Sequence, residues 1–416
     1  MTSFSNQQPA GSLSRRRFLS GTLAGAGALA LSDRLAMAQS IVSGSSPITV
    51  DEIQGWGEVP GVVDIGDNEN PYGPSPMAVR AVADRMMDVN RYDFGASRSL
   101  ESAIGEFHGF ATPPPPAHRF APSGYPVYVE GGSGFILKQV ALRFGVAGGA
   151  GEIIEASPAY GGVSRAIQGY SRLFGTEITL RRVPTTADFK HDLDAMLAAV
   201  TPKTTLVVIT NPNNPSGTLV AQADIARFVD ALPKRVMVLI DEAYIHFVRE
   251  AGYQDSISLS QKHKNVIVTR TFSKIYGLAG LRVGYAVGDM DLINELKFLG
   301  NSGGMGAISC YAGVAALEDR AFVRHVKRMT NNVKDYFYAE LDKLGLSYIL
   351  SHSSFVLVNA GRDGEELFKR MAAKKIMLSR LGMDGNPLLK NYIRFSMGTP
   401  DELQVAVSAL KEELAA

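Results

Sequence analysis

The sequence predicts an α/β fold in which a mostly parallel, doubly wound sheet is followed by a smaller α+β region. Short apolar runs of strand length alternate with helical periods, which is typical of parallel sheets with helices on both faces. The predicted strands are 126–130, 152–156, 205–210, 235–240, 265–270 and 282–287, and the predicted helices are 77–90, 97–108, 134–145, 192–200, 222–232 and 290–299. After about residue 318 the apolar residues from Phe322 to Leu344 recur every three or four positions, which predicts one long amphipathic helix. Strands near 355–359 and 391–396 follow it.

Length and composition predict a two-domain globular protein. A chain of 416 residues exceeds what one hydrophobic core usually supports. We expect an N-terminal arm that is also part of a small domain over 39–76, a large domain over 77–317 and a C-terminal small domain over 318–416. Lys plus Arg number 42 and Asp plus Glu 41, so a net charge of +1 gives no reason to expect a nucleic-acid partner. With one cysteine, Cys310, and no H-E-x-x-H pair, neither an internal disulfide nor a metal site is predicted.

Residues 1–38 have the features of a secretory signal peptide. Three arginines, Arg15 to Arg17, precede a short apolar run over 21–31, and an A-x-A cleavage pattern ends at Ala38. The apolar run is well short of the roughly 20 residues that span a bilayer, so we expect no stable membrane anchor. An arginine pair followed by phenylalanine and leucine resembles a twin-arginine signal. We therefore expect export of the folded protein to the periplasm, with cleavage after Ala38.

Polar side chains follow two of the predicted strands at the point where each strand ends. The apolar run 236–240 leads into Asp241, Glu242 and Tyr244, and the run 266–270 leads into Thr271, Ser273 and Lys274. Because ligands of doubly wound sheets bind beyond the carboxyl ends of the strands, these groups are candidates for one site. The alternatives are a helix-capping aspartate with a surface glutamate, and a solvated surface lysine. The position of the lysine before the Gly-rich segment 277–285 indicates partial desolvation, which favours imine chemistry.

Further segments supply groups suited to an anionic ligand. Asn214 lies in a turn-like segment, 210–218, for which a plain turn is the alternative. The segment 130–134, which is rich in glycine, precedes a helix whose free N–H groups suit an anion. Thr271, Ser273 and Arg282 add two hydroxyls and a guanidinium, which are typical phosphate ligands. A lysine, an aspartate, an asparagine, a tyrosine and phosphate-binding groups at successive strand ends are the set that pyridoxal phosphate requires.

The order of four motifs resembles that of a known family. N-P-N-N-P-S-G-T, D-E-A-Y, T-F-S-K and G-L-A-G-L-R-V-G-Y occur as in the fold-type I, class I/II aminotransferases, and N-E-N-P-Y-G-P at 68–74 is similar to the histidinol-phosphate aminotransferase group. The resemblance covers roughly residues 61–415. It implies a fold-type I transferase, with a large domain and a smaller α+β domain, that uses pyridoxal 5'-phosphate. It implies a transaminase of EC 2.6.1 type, which moves an amino group between an amino acid, or an amino-acid-like amine, and a 2-oxo acid.

The resemblance assigns cofactor roles to matching positions. Lys274 would form the internal aldimine and shuttle the Cα proton, and Asp241 would pair with the pyridinium nitrogen, which keeps the ring an electron sink. Tyr244 and Asn214 would hold the ring 3-oxygen, and Tyr160 would stack on the ring. The phosphate would be bound by a set of small, hydroxylic and basic residues: Gly132, Ser133, Gly134, Thr271, Ser273 and Arg282.

The resemblance also implies substrate contacts and a dimer. Arg394 would hold the substrate α-carboxylate as a bidentate fork, with Tyr72, Asn214 and Arg380 as further substrate residues. Arg380 lies near the place where the family has a second arginine for a distal acidic group. Tyr92 would reach the phosphate of the partner subunit's cofactor, which implies a two-fold homodimer.

Two segments depart from the family pattern. Gly134 and Phe135 stand where the family often has two acidic residues, and 301–306 reads N-S-G-G-M-G where it often has Pro-Tyr-Asn. Export also argues against histidine biosynthesis, a cytoplasmic pathway, so histidinol phosphate is not assumed as the substrate. Another pyridoxal phosphate reaction, a decarboxylation or an oxygen-dependent oxidation, is one alternative, because it would use the same cofactor residues. An exported solute-binding protein without catalysis is the other.

Overall fold

A seven-stranded sheet forms the centre of the computed structural model, which describes residues 49–50, 59–118, 121–147, 149, 151–300, 305–381 and 386–415. The strands of the sheet, in spatial order, are β2 (Val127–Glu130), β8 (Gly284–Val287), β7 (Val266–Thr271), β6 (Met237–Asp241), β5 (Thr204–Thr210), β3 (Glu152–Ser157) and β4 (Thr179–Pro184). β8 runs antiparallel to both of its neighbours, and the pairings from β7 to β4 are all parallel. The predicted mostly parallel sheet is confirmed. The predicted signal peptide lies outside the described residues.

Helices pack on both faces of this sheet and against two smaller sheets. They are α1 (Pro76–Arg85), α2 (Ala96–Phe107), α3 (Ser133–Val140), α4 (Gly162–Phe174), α5 (Leu193–Ala198), α6 (Gln222–Ala231), α7 (Ile257–Lys262), α8 (Met290–Leu299), α9 (Ala307–Glu318), α10 (Arg320–Lys343), α11 (Gly364–Ala373) and α12 (Pro400–Ala415). A π-helical segment, Ala141–Val146, continues α3, and short 3-10 segments cover Met86–Asp88, Ile245–Phe247 and Pro387–Leu389.

Alternating side chains of the central strands build two hydrophobic cores. On β6, Val238 and Ile240 pack into one core, whereas Leu239 packs into the core on the opposite face. A strand that is buried on both sides reads as a continuous apolar run, which is why the sequence predicts these strands well. Several polar side chains, among them Asp241 and Thr271, lie at the edge of the sheet where the carboxyl ends of these strands meet.

Two small sheets are formed mainly by strands from the C-terminal part of the chain. The strands β12 (Tyr392–Ser396), β10 (Phe355–Asn359) and β9 (Tyr348–Ile349) form an antiparallel sheet, and β1 (Val63–Asp64) pairs in parallel with β11 (Ile376–Met377). The backbone N–H of Ser396 donates to the oxygen of Ile65 at 3.0 Å. This bond joins the segment after β1 to the strand that carries Arg394.

The long helix α10 spans two cores. Near its start, Phe322 and Val326 pack with the central sheet, and further along, Val333 and Phe337 pack with the small sheets. Its first turn is capped by Asp319, which accepts from the N–H of Phe322 at 3.0 Å. From Thr49 onward the described residues form one compact unit, and the predicted domain division at 318 stays a prediction. Within the described ranges, no helix has both the length and the apolar character that a membrane crossing requires.

Candidate active site

Lys274 follows the carboxyl end of β7 and is half-buried. Its Nζ donates a hydrogen bond to the backbone oxygen of Asp67 at 3.0 Å. The same nitrogen lies 5.8 Å from the centroid of the Tyr244 ring. The amino group therefore lies near Tyr244, which the sequence predicts for the same site.

Asp241, the last residue of β6, is a buried carboxylate with only 4% of its surface exposed. Thr269 on β7 donates to its Oδ1 at 3.1 Å, and the backbone N–H of Ala243 donates to it as well. Burial is the main cause that raises the pKa of this carboxyl to about 6. No cationic side chain pairs with Asp241 within the described part of the chain, so a cation that offsets its burial would come from a ligand.

Glu242, the second carboxylate of the D-E-A-Y motif, points away from solvent. It is fully buried, and Nε and Nη2 of Arg270 donate to its Oε2 at 2.9 and 2.7 Å. Arg270 also contacts Asp255 at 2.5 Å. The alternative interpretation, in which Glu242 is a surface glutamate, is wrong because this side chain belongs to a buried ion-pair cluster.

Tyr244 joins the end of β6 to the segment that follows β1. Its buried ring packs edge-on against Phe355 with centroids 5.1 Å apart. Its hydroxyl oxygen accepts a hydrogen bond from Nδ2 of Asn68 at 3.0 Å. Asn68 in turn is bonded twice to Ser396. Sequence reasoning did not single out Asn68 or Ser396, although Asn68 begins the N-E-N-P-Y-G-P motif and Ser396 lies two residues after Arg394.

Arg394 and Asn214 meet across the site. Nη1 of Arg394 donates to Oδ1 of Asn214, and Nη2 donates to the backbone oxygen of Gly66 and to Oγ of Ser379. The guanidinium lies 5.0 Å from the centroid of the Phe355 ring. Its Nε is buried and has no hydrogen-bond partner among the described residues. Burial lowers the pKa of Arg394 from its usual value.

A cradle of backbone and basic groups lies where β8 meets the start of α3. Gly132 has a φ of 89°, and a Cβ there would lie 2.4 Å from Nη2 of Arg282. A Cβ on Gly284 would lie 2.1 Å from the backbone nitrogen of Ser133. Both positions therefore need glycine to bring the guanidinium and the helix N-terminus together.

Two hydroxyl residues extend this cradle. Oγ of Ser273 accepts from Thr271 at 2.9 Å and from Nη1 of Arg282 at 3.4 Å. Helix N–H groups, hydroxyls and a guanidinium are what a phosphate group binds. The structure brings Ser133, Thr271, Ser273 and Arg282 to the same strand ends as Lys274.

Four further predicted residues, three tyrosines and an arginine, have other contacts in the structure. Tyr160 is 42% exposed, and Arg165 lies over its ring at 5.3 Å. Tyr92 is 87% exposed and stacks on Phe94. Tyr72 is buried in the main core, and its hydroxyl has no partner within the described residues.

Arg380 is engaged at the surface. It pairs with Glu365 at 2.9 Å beside a small cavity of about 300 Å³. The substrate roles of Tyr72 and Arg380, and the partner-subunit role of Tyr92, stay predictions.

The residues present fit pyridoxal phosphate. The cofactor needs an amine for its aldehyde, an anion for its ring nitrogen and a site for its phosphate. These needs are met by Lys274, by the buried carboxylate of Asp241, which has no cationic partner among the described residues, and by the glycine-lined cradle at Arg282. No group of three or more metal-ligating side chains is placed to hold a metal ion in the part of the chain that the structure describes.

Comparisons with known proteins agree with this chemistry. Residues 60–410 match the family model of the class I and II aminotransferases. A histidinol-phosphate aminotransferase of Moorella thermoacetica is 34% identical over 367 residues, which cover 88% of this chain and 89% of the relative. One of Akkermansia muciniphila is 36% identical over 356 residues, which cover 85% and 90%.

A solved structure that resembles this chain contains the cofactor. The crystal structure of a histidinol-phosphate aminotransferase from Sinorhizobium meliloti in complex with pyridoxal-5'-phosphate matches with a TM-score of 0.75 and 25% identity, over 90% of this chain and 96% of that one. The fold-type I architecture and the cofactor are thereby confirmed, and transamination is supported over a decarboxylase or an oxidase. The chain belongs to the class I and II aminotransferases and is a transaminase that depends on pyridoxal 5'-phosphate.

Proposed function

We propose that the site transfers the amino group of an amino acid through a cofactor held by Lys274, with the carboxylate of the substrate bound by Arg394. One observation carries the proposal. The segment Gly66 to Asn68 is contacted by three side chains from distant parts of the chain, since it accepts from Arg394 and Lys274 and donates to Tyr244. An amine, a phenol and a carboxylate-binding guanidinium around one short segment are suited to an amino-acid substrate.

The cofactor supplies an aldehyde that takes the amino group and a ring that accepts electron density. Lys274 would hold it covalently, and Asp241 would hold its ring nitrogen in the protonated state. The cradle of Ser133, Gly134, Thr271, Ser273 and Arg282 would bind its phosphate. Asn214 and Tyr244 would contact the 3-oxygen, and Tyr160 would cover one face of the ring.

Lys274 would also move the proton of the reaction. Once its Nζ is free, it can accept a proton from the substrate carbon and return one to the cofactor. The backbone oxygen of Asp67 is within hydrogen-bond reach of this nitrogen and would hold it between the two transfers.

Arg394 has the free donors that a carboxylate requires. A guanidinium has five N–H groups. Three of them donate to Asn214, Gly66 and Ser379, so two have no partner among the described residues and are available to a substrate. A carboxylate would also offset the cost of burying the positive charge.

The identity of the amino donor is the finer part of the proposal. The relatives above are named for histidinol phosphate, whereas Phe135, 45% exposed at the start of α3, stands where the family often has an acidic residue. In the other segment that departs from the family pattern, 301–306, residues 301–304 lie outside the described residues. We propose an amino acid as the donor and a 2-oxo acid as the acceptor.

A half-reaction screen tests this proposal. The loaded protein is mixed with single amino acids, and separately with histidinol phosphate, and the pyridoxamine phosphate formed is quantified. We expect conversion with at least one amino acid and its reversal by a 2-oxo acid. Conversion by histidinol phosphate alone would contradict the proposed donor, and loss of carbon dioxide or uptake of oxygen would contradict transamination.

Lys274→Ala tests the role of the lysine in the same assay. We expect the variant to bind the cofactor but to lose several orders of magnitude in rate, because both the covalent link and the proton carrier are gone. Lys264→Ala, which alters an exposed lysine just before β7, is the matched control. Equal rates in the two variants would exclude Lys274 as the residue that links the cofactor and carries the proton.

We propose a homodimer as the active unit. Met87 and Tyr92 are each 87% exposed and lie in one segment with further exposed apolar residues, which supports an interface there. Light scattering at assay concentration is expected to give the mass of a dimer. A fully active monomer would contradict this proposal.

We also propose export by the twin-arginine route, on the strength of Arg15, Arg16 and the A-x-A pattern ending at Ala38. Replacing both arginines by lysine is expected to leave an active, cofactor-loaded precursor in the cytoplasm. Mature protein beginning near Gln39 in the periplasm of that variant would contradict the route.

A further inference from the structure

The hydrogen bonds between Asn68 and Ser396 fix which way the Asn68 amide points. The hydroxyl oxygen of Ser396 accepts from the backbone N–H of Asn68 at 2.9 Å. Its own proton is donated to Oδ1 of Asn68 at 2.7 Å. Both residues are buried. Turning the amide over would remove the acceptor of the buried hydroxyl proton, which is costly away from water.

This orientation leaves only donors on the side of the amide that faces Tyr244. Nδ2 of Asn68 lies 3.0 Å from the Tyr244 hydroxyl oxygen. An amide NH₂ group donates and does not accept. The phenol oxygen must therefore accept this bond, and its proton must point elsewhere.

We propose that Asn68, held by Ser396, is a positioning residue that directs the hydroxyl proton of Tyr244 toward the 3-oxygen of the bound cofactor. The inference rests on the role proposed above for Tyr244. It gives this chain of hydrogen bonds a polarity. Ser396 donates to Asn68, Asn68 donates to Tyr244, and Tyr244 would donate to the cofactor. A donor at the 3-oxygen stabilises its deprotonated form.

The backbone of Asn68 provides a matched pair of variants. Its φ is 56°, in the left-handed region that asparagine, aspartate and glycine tolerate. Asn68→Asp keeps the shape but replaces the NH₂ group by an oxygen, which would accept the Tyr244 proton and reverse the polarity. Asn68→Gly keeps the backbone and removes the amide, so the phenol proton is neither directed toward the cofactor nor captured.

The readout is the pH midpoint at which the visible absorption of the bound cofactor changes. Tyr244→Phe is expected to raise this midpoint by about one pH unit and to weaken cofactor binding about tenfold, because one hydrogen bond to a charged oxygen is lost. Asn68→Asp should raise the midpoint by a similar amount. Asn68→Gly should raise it by clearly less than Asn68→Asp, because the phenol proton is then undirected but not captured by another acceptor.

A double variant separates the proton from the added charge. In the Tyr244→Phe background, Asn68→Asp should produce little further shift, since the proton it captures is already absent. A shift of full size in that background, or equal midpoints for Asn68→Asp and Asn68→Gly, would overturn the positioning role. If Asn68→Asp does not fold, Ser396→Ala against Ser396→Thr is the substitute, and only the alanine should raise the midpoint.

Failure of the proposed role of Tyr244 gives a different result. In that case Tyr244→Phe alone leaves the midpoint unchanged, and the inference about Asn68 falls with it. If Tyr244→Phe shifts the midpoint but Asn68→Asp does not, the role of Tyr244 stands and only the polarity of the chain is overturned.

Discussion

Replacing Asp241 by asparagine is expected to stabilise the cofactor-free protein above pH 6. The carboxyl group is 4% exposed, and burial raises its pKa from 3.8 to about 6. A shift of about two pKa units corresponds to about 3 kcal/mol, since each unit is about 1.4 kcal/mol. Between about pH 4 and 6 the unfolded chain binds fewer protons at this group than the folded one, so the free energy of unfolding falls as the pH rises.

Denaturant unfolding of the cofactor-free protein at several pH values measures this effect. We expect Asp241→Asn to exceed the wild type by up to about 3 kcal/mol at pH 8, and the difference to shrink toward pH 4. Asp84→Asn, which alters an exposed aspartate on α1, is the control and should show no comparable pH-dependent difference. A difference between Asp241→Asn and wild type that is the same at pH 4 and pH 8 would refute the reasoning.

With the cofactor bound, we expect Asp241→Asn to be unfavourable rather than stabilising. A positive ring nitrogen at Asp241 would offset the cost of burying the carboxylate, and asparagine cannot do the same. We expect the loaded variant to bind the cofactor more weakly and to turn over roughly a hundredfold more slowly, a loss of about 3 kcal/mol. A variant with a near wild-type rate would mean that Asp241 does not face the ring nitrogen.

Three further substitutions test the surroundings of the site. Lys334 is fully buried and its Nζ donates to the oxygens of Ser351 and Ser353; burial lowers its pKa from 10.5 to about 7. The unfolded chain therefore binds more protons between pH 7 and 10.5, stability should rise with pH there by up to about 5 kcal/mol, and Lys334→Met should abolish this slope in denaturant unfolding. Arg394→Lys keeps the charge but loses the fork, so KM for the amino donor should rise about tenfold or more, while an unchanged KM would exclude carboxylate binding there. Gly132→Ala should weaken cofactor binding in a titration, because its Cβ would lie 2.4 Å from the guanidinium of Arg282, and wild-type affinity would contradict the cradle.

Much of the fold could be predicted because the central strands are buried on both faces. Their apolar runs end within about two residues of the strands in the structure, and the predicted strand 355–359 matches β10. The edge strand β4 was missed because its exposed Arg181 and Arg182 break the apolar pattern. The predicted helix 134–145 proved to be α3 and a π-helical continuation, a change in hydrogen bonding that apolar periodicity does not reveal.

The candidate site could be predicted as far as it lies at strand ends. Asp241, Tyr244 and Lys274 stand out there because polar residues follow apolar runs directly. Asn68 and Ser396 have no such signal, since they meet across 328 positions of sequence. Their contact depends on the bond that joins the segment after β1 to β12, and no local pattern in either segment predicts that pairing.

Covalent mapping of the cofactor tests the assignment of this aminotransferase site most directly. The loaded protein is reduced with borohydride and digested, and the peptide that carries the pyridoxyl group is sequenced. The geometry at the end of β7 predicts the label on Lys274, within the T-F-S-K motif, and no label in the Lys274→Ala variant. A pyridoxyl group on another lysine of the wild-type protein would contradict the central claim.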